Sequence, residues 1–205
     1  MSKTYLILNK NIPAEIIMSR ISPVILSELT SDMQNILSAV EIKMGFMPND
    51  ALLMAHKPYV ILAFGNLVQA VYDEQSEISP VLKRLIGLVT SQAAGCRYCE
   101  AHTAHAALNH DIDDAKLEAL WEYETSPFYS DAERAALRLA QAAGMSPAYV
   151  SDDIFTELNS HFSNSQIVEI VATISLFGFL NKWNSVFETE IESLPKAVLD
   201  KYFPH

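Results

Sequence analysis

The sequence is poor in cysteine, glycine and positive charge: of its 205 residues only two are cysteine, six are glycine and 14 are lysine or arginine, against 25 aspartate or glutamate. Each shortage excludes something. A formal net charge of -11 opposes nucleic acid and anionic membrane surfaces, both of which reward positive charge. Two cysteines do not make a disulfide scaffold. No glycine-rich phosphate loop or internal repeat occurs, and no low-complexity linker divides the chain. The longest apolar stretch, residues 167–180, is too short to cross a bilayer. Near the N-terminus only a short apolar run, Tyr5 to Leu8, is present, too little for a signal h-region, so a cytoplasmic protein is expected.

What is present is half hydrophobic and helical in pattern. A single all-α domain over residues 1–205 is expected, a compact helical bundle with residues 1–28 as an N-terminal arm. Helical spacing over residues 29–44 ends at Gly45, which suits a left-handed cap. Residues 59–72 predict a mostly buried helix. Ser79-Pro80 is a start signal for the helix leading to Gly95. Ser130 with Glu133, and Ser163 with Gln166, each fit a capping box.

Both cysteines lie in Gly95-Cys96-Arg97-Tyr98-Cys99-Glu100-Ala101-His102, at Cys-x-x-Cys spacing with a histidine three residues on. Random placement of two cysteines rarely gives that spacing. A helix opening near Gly95 sets the two about 60° apart on neighbouring turns, close enough for a reversible disulfide. The positive end of the helix favours thiolate there, and Arg97 is expected to add to that field. His102, on the same face as Cys99, is placed to move the thiol proton. Rival readings are a structural disulfide, two inert buried cysteines, and a partial zinc site completed from elsewhere. The string Cys96, Cys99, His102, His105 cannot hold one tetrahedral ion by itself, since on one helix its ends lie roughly 13 Å apart. No metal and no cofactor is assigned. Tyr98, between the cysteines, packs or donates a hydrogen bond.

The stretch Leu82 to His105, with Leu85-Ile86-Gly87-Leu88-Val89, Ser91, Gly95, Cys96, Tyr98, Cys99, His102 and Thr103, resembles the core motif of the alkylhydroperoxidase D and carboxymuconolactone decarboxylase superfamily. The likeness extends to Gly45-Phe46-Met47-Pro48-Asn49 upstream and Gln166-Ile167-Val168-Glu169 downstream, in the order of the peroxidase-related branch over roughly residues 40–190. It implies an all-helical trimer or hexamer, an antioxidant thiol peroxidase that reduces hydrogen peroxide or organic hydroperoxides at the expense of a dithiol electron donor. In that family the second cysteine attacks and the first resolves, which gives those roles to Cys99 and Cys96, with His102 catalytic. Two departures stand out. The family's histidine position holds Thr103, one place after His102, and its relay glutamate is Arg84 here. Arginine accepts no proton, so the relay is expected to differ: either His102 or His105 acts alone, or a carboxylate (Glu77, Glu100, Glu133 or Glu169) enters from elsewhere. A redox-sensing oligomer, or a lyase or isomerase acting on a small carboxylate, are the alternative functions.

Overall fold

A computed structural model describes residues 19–110 and 112–204. The N-terminal stretch read for a signal sequence, and most of the expected arm, lie outside these residues. Ten α-helices run in order through the described chain: α1 Ser31–Met44, α2 Asn49–Met54, α3 Pro58–Val71, α4 Pro80–Ala93, α5 Arg97–Leu108, α6 Asp114–Glu118, α7 Asp131–Gly144, α8 Asp152–His161, α9 Asn164–Phe187 and α10 Ser193–Tyr202. No strand occurs among the described residues.

Local chemistry sets the helix ends. Ser79 caps α4 by accepting from the Leu82 N–H, with Pro80 at the first helical position. Both capping boxes form, at Ser130 with Glu133 and at Ser163 with Gln166. Gly45 closes α1 in the left-handed region.

Helix α4 is the axis of the bundle. It packs against α5, α7 and α9, while α10 lies on α5, α8 on α7 and α3 on α9. Leu85, Ile86 and Leu88 of α4 are fully enclosed, together with Leu137 and Ala140 of α7 and Ile170 of α9. Between α4 and α5 the chain turns through Gly95 at φ 71°, and the Cys96 N–H closes the turn on the Ser91 carbonyl. The tight turn brings the cysteine motif onto the central helix.

Helix α3 departs from expectation. Only Ile61 and Val71 are buried, whereas Tyr59 is 69% exposed and Leu62 and Leu67 are 44% and 45% exposed. Its apolar residues occupy every side of the helix, but among the described residues it has only α9 and α2 as substantial neighbours. The apolar run of α9 is likewise split: Ile170, Ile174 and Phe177 face the core, while Val168, Val171 and Phe179 face outward. No helix among the described residues is long and apolar enough to cross a membrane.

Candidate active site

Cys96 is the N-cap of α5 and Cys99 sits in its first turn. The Cys96 sulfur accepts the Cys99 N–H, as a serine cap would. The two sulfurs are free thiols 3.0 Å apart, and both residues are buried against Tyr98 and Phe177. Phe177 reaches them from α9 by packing over Gly87.

The two thiols have opposite tendencies. The hydrogen bond shared with Cys99 is the largest influence on Cys96 and, with the Cys99 N–H and Ser185, outweighs burial, so its pKa is lowered. Burial leads for Cys99, joined by the negative charge favoured on Cys96, and its pKa is raised well above that of a free thiol. Of two sulfurs this close, Cys96 is the one that gives up its proton more readily and Cys99 the one that keeps it. Arg97 adds little to that field: its guanidinium bonds Glu100 at 2.7 Å and the Phe203 carbonyl at 2.7 Å.

Beside the thiols lies a polar cluster. His102 Nε2 is 2.6 Å from Glu192 Oε2. The Tyr98 hydroxyl donates to Glu192 Oε1 at 2.8 Å and accepts the Asp50 N–H at 3.2 Å. The Asn49 N–H also donates to Glu192. The imidazole stacks on Tyr98 with centroids 4.1 Å apart and meets the edge of Phe46. Asn184 of α9 completes the wall by donating Nδ2 to the Cys99 sulfur at 3.5 Å. Burial would push Glu192 up, but the hydrogen bond and charge of His102, with the Asn49 N–H, outweigh it and its pKa is lowered. Glu192 is the ionised partner of this cluster.

Of the carboxylates singled out from sequence, Glu100 is close enough for its charge to oppose the Cys96 thiolate, and the other three lie elsewhere. Glu169 is bonded to Lys83 at 2.9 Å and to Ser76, and on α9 it is fifteen residues before Asn184, about 22 Å along the axis. Glu133 is held in its capping box and by Lys116 at 2.5 Å. Glu100 is the partner of Arg97, and the Glu77 N–H binds Glu169. None of the four bonds His102. His105 meets the edge of Phe46 at 5.5 Å and Asn109 at 3.4 Å, and burial followed by the neighbouring His102 lowers its pKa. Thr103, in the family's histidine position, turns its hydroxyl back to the Cys99 and Glu100 carbonyls. Arg84 lies over the Tyr72 ring, 4.0 Å from its centroid. The carboxylate that meets His102 is therefore Glu192, ninety positions away in the loop before α10, where no local pattern marks it. Asp50 and Asn184 were equally silent in sequence, although Asp50 directly follows the Pro48-Asn49 pair.

The sequence signature of the carboxymuconolactone decarboxylase family matches residues 58–142. A solved debrominase, Bmp8 in its apo form, is 36% identical with a TM-score of 0.82, over 92% of this chain and 98% of its own.

The chain belongs to the carboxymuconolactone decarboxylase and alkylhydroperoxidase D superfamily.

Bmp8 has also been solved as a cysteine-to-alanine variant in complex with 2,3,4-tribromopyrrole. A peroxidase-related protein of Ralstonia eutropha JMP134 with an alkylhydroperoxidase D core shares the fold, at 22% identity and a TM-score of 0.77 over 89% of this chain and 95% of its own. The uncharacterized protein YnjA of Escherichia coli strain K12 is 28% identical over 137 residues, 67% of this chain and 75% of its own. In this superfamily member the Cys-x-x-Cys pair and the His102–Glu192 cluster form one continuous site.

Proposed function

We propose that the protein is a dithiol peroxidase that reduces hydrogen peroxide or organic hydroperoxides with electrons from Cys96 and Cys99. The observation that carries this reading is the pair of free sulfurs 3.0 Å apart at the start of α5, one favouring thiolate and the other holding its proton. The Cys96 thiolate attacks the terminal oxygen, the O–O bond breaks, and Cys96 becomes a sulfenic acid. The departing alkoxide takes a proton from the polar cluster. The Cys99 sulfur then attacks Cys96, water leaves, and the disulfide forms; a dithiol donor returns two electrons. These roles reverse the order implied by the family resemblance, because the cap position favours the thiolate at Cys96 while burial opposes it at Cys99.

His102 acts through the cluster, since its Nε2 is held by Glu192 and bonds neither sulfur. The outward apolar faces of α3 and α9, with Phe64, Phe179, Trp183 and Phe187 in a row of ring contacts, support a homo-oligomer.

A second reading, reductive debromination of a small aromatic ring, is supported by the 36% identity to Bmp8 across nearly the whole chain. It uses the same two thiols, with bromine in place of the terminal oxygen. One experiment separates the readings: the reduced protein is given an excess of dithiol with tert-butyl hydroperoxide or with 2,3,4-tribromopyrrole. Consumption of the hydroperoxide at a rate that depends on enzyme concentration supports the peroxidase. Release of bromide with no peroxide turnover replaces it with the second reading.

A further inference from the structure

Asn184 lies in the last turn of α9, where its backbone is held by the helix end and its side chain reaches the thiols. Its carbonyl accepts the N–H of Glu188, the left-handed residue that closes the helix, and the Thr189 N–H at 3.2 Å. The residue is 2% exposed, and its Nδ2 donates to the Cys99 sulfur at 3.5 Å. The amide also faces the Asp50 carboxyl. Its other polar atom is unused: Oδ1 is buried and has no hydrogen-bond partner among the described residues. A buried acceptor without a donor destabilises a fold, whereas an apolar side chain of the same shape does not. Packing alone therefore gives no reason for an amide at this position, and the sulfur does.

Among the described residues two side chains hydrogen-bond to the Cys99 sulfur, Cys96 through its sulfur at 3.0 Å and Asn184 through Nδ2 at 3.5 Å. They matter at different steps. Before oxidation the Cys96 sulfur is the close partner of Cys99, and Cys99 has only to keep its proton. Once Cys96 is a sulfenic acid, Cys99 must itself become the nucleophile, in a place where burial opposes negative charge on its sulfur. The N–H aimed at that sulfur is then the one on Asn184.

We propose that Asn184 activates Cys99 for the resolving step, its side-chain N–H stabilising the negative charge that gathers on the Cys99 sulfur as it attacks the Cys96 sulfenic acid. The inference rests on the peroxidase reading above and on its assignment of Cys96 as the attacking sulfur. In the resolving step the S–H bond of Cys99 and the S–O bond of Cys96 break and the S–S bond forms. The Cys99 proton and the hydroxyl of the sulfenic acid leave together as one water. The Cys99 sulfur is oxidised by as much as the Cys96 sulfur is reduced, so no further reductant enters, and Asn184 keeps its own protons throughout. A donor fixed in advance by the helix end, and aimed where charge develops, needs no rearrangement at the moment of reaction. The earlier attack of Cys96 on the hydroperoxide makes no such demand on Cys99.

The test separates the two steps by their dependence on hydroperoxide. Reduced protein is mixed with rising excesses of tert-butyl hydroperoxide and quenched at intervals with dimedone, which traps sulfenic acid, and an alkylating agent, which blocks thiols; mass spectrometry then reads each cysteine. Loss of the Cys96 thiol speeds up with hydroperoxide concentration, and conversion of sulfenic acid to disulfide does not. Asn184→Leu keeps the approximate shape and removes the donor. Its disulfide formation is expected to slow about 10-fold, in the range of a lost hydrogen bond to a charged group, so that dimedone-labelled Cys96 builds up. Loss of the Cys96 thiol should change less than about threefold, since that step does not use the bond. Asn184→Gln, which keeps the amide, should recover part of the resolving rate. Slowing of both steps alike is what a merely structural role would give, and it would overturn the role of Asn184, as would disulfide formation that is unchanged or faster, or a dimedone label on Cys99. Failure of the unaltered protein to consume tert-butyl hydroperoxide overturns the peroxidase reading itself, and the role of Asn184 with it. If circular dichroism shows Asn184→Leu misfolded, Asn184→Ala is put through the same mixing and must show the same selective slowing.

Discussion

His102 Nε2 and Glu192 Oε2 are 2.6 Å apart, although ninety positions separate them in the chain. Their side chains are 12% and 10% exposed, so the pair is shielded from bulk water. A shielded pair of this kind holds its geometry and its charge better than one on the surface.

Removing either partner should therefore slow turnover without abolishing thiol ionisation. His102→Ala is expected to lower kcat by about 10- to 100-fold, since Glu192 loses the partner that keeps it ionised. The Cys99 thiol, which His102 does not touch, should titrate nearly as before. Steady-state kinetics and ultraviolet titration of the thiolate check both halves. Unchanged turnover would remove His102 from the mechanism.

Gly87 is a position of close approach in the core. A Cβ there would fall within the Phe177 ring, and Phe177 is the side chain that packs on the cysteines. Gly87→Ala should destabilise the fold by about 1–3 kcal/mol through overpacking and should also disturb the Cys96 environment. Denaturant unfolding and thiol reactivity measured on the same variant test the two effects together.

Much of the fold was legible because helix ends carry local chemistry. The caps at Ser79, Ser130 and Ser163 and the stop at Gly45 are written in side chains one to three residues apart. The cysteine motif was legible for the same reason. Glu192 was not, because its role depends on a loop after α9 returning to α5, a long-range contact with no sequence period. Glu169, a relay candidate from its place beside the family motif, faces Lys83 of α4 instead, a long-range ion pair that no sequence period marks. Helix α3 was read as buried because its density of apolar residues is high, but density does not say whether the covering surface comes from the same chain.

The Lys83–Glu169 pair should govern acid stability. Lys83 is 2% exposed as a residue and also donates to the Val71 carbonyl at 2.5 Å. Burial would raise the Glu169 pKa, but its bonds to Ser76, Lys83 and the Glu77 N–H outweigh this and hold it at about 2. A carboxyl whose folded pKa lies below its ordinary value stabilises the fold above that value, and the contribution is lost as pH falls from about 4.5 towards about 2. Glu169→Gln should flatten that part of the stability profile. It should also cost about 3 kcal/mol at neutral pH by leaving Lys83 buried without a counter-charge. Unfolding midpoints between pH 2 and 7 for both proteins decide the matter.

The exposed apolar faces of α3 and α9 predict self-association. Light scattering at micromolar concentration should report an oligomer, and Leu62→Glu with Phe179→Glu should shift it to smaller species while retaining helical content. A stable monomer of the unaltered protein would contradict this.

The central claim is that Cys96 is the attacking sulfur and Cys99 its resolving partner. It is tested most directly by anaerobic thiol titration and mass spectrometry after one equivalent of an organic hydroperoxide, on the unaltered protein and on Cys96→Ser and Cys99→Ser separately. The unaltered protein should lose both thiols to an intramolecular Cys96–Cys99 disulfide, Cys99→Ser should stop at a sulfenic acid on Cys96, and Cys96→Ser should keep its thiol. A sulfenic acid on Cys99 in Cys96→Ser, formed as fast as the wild-type disulfide, would contradict the account.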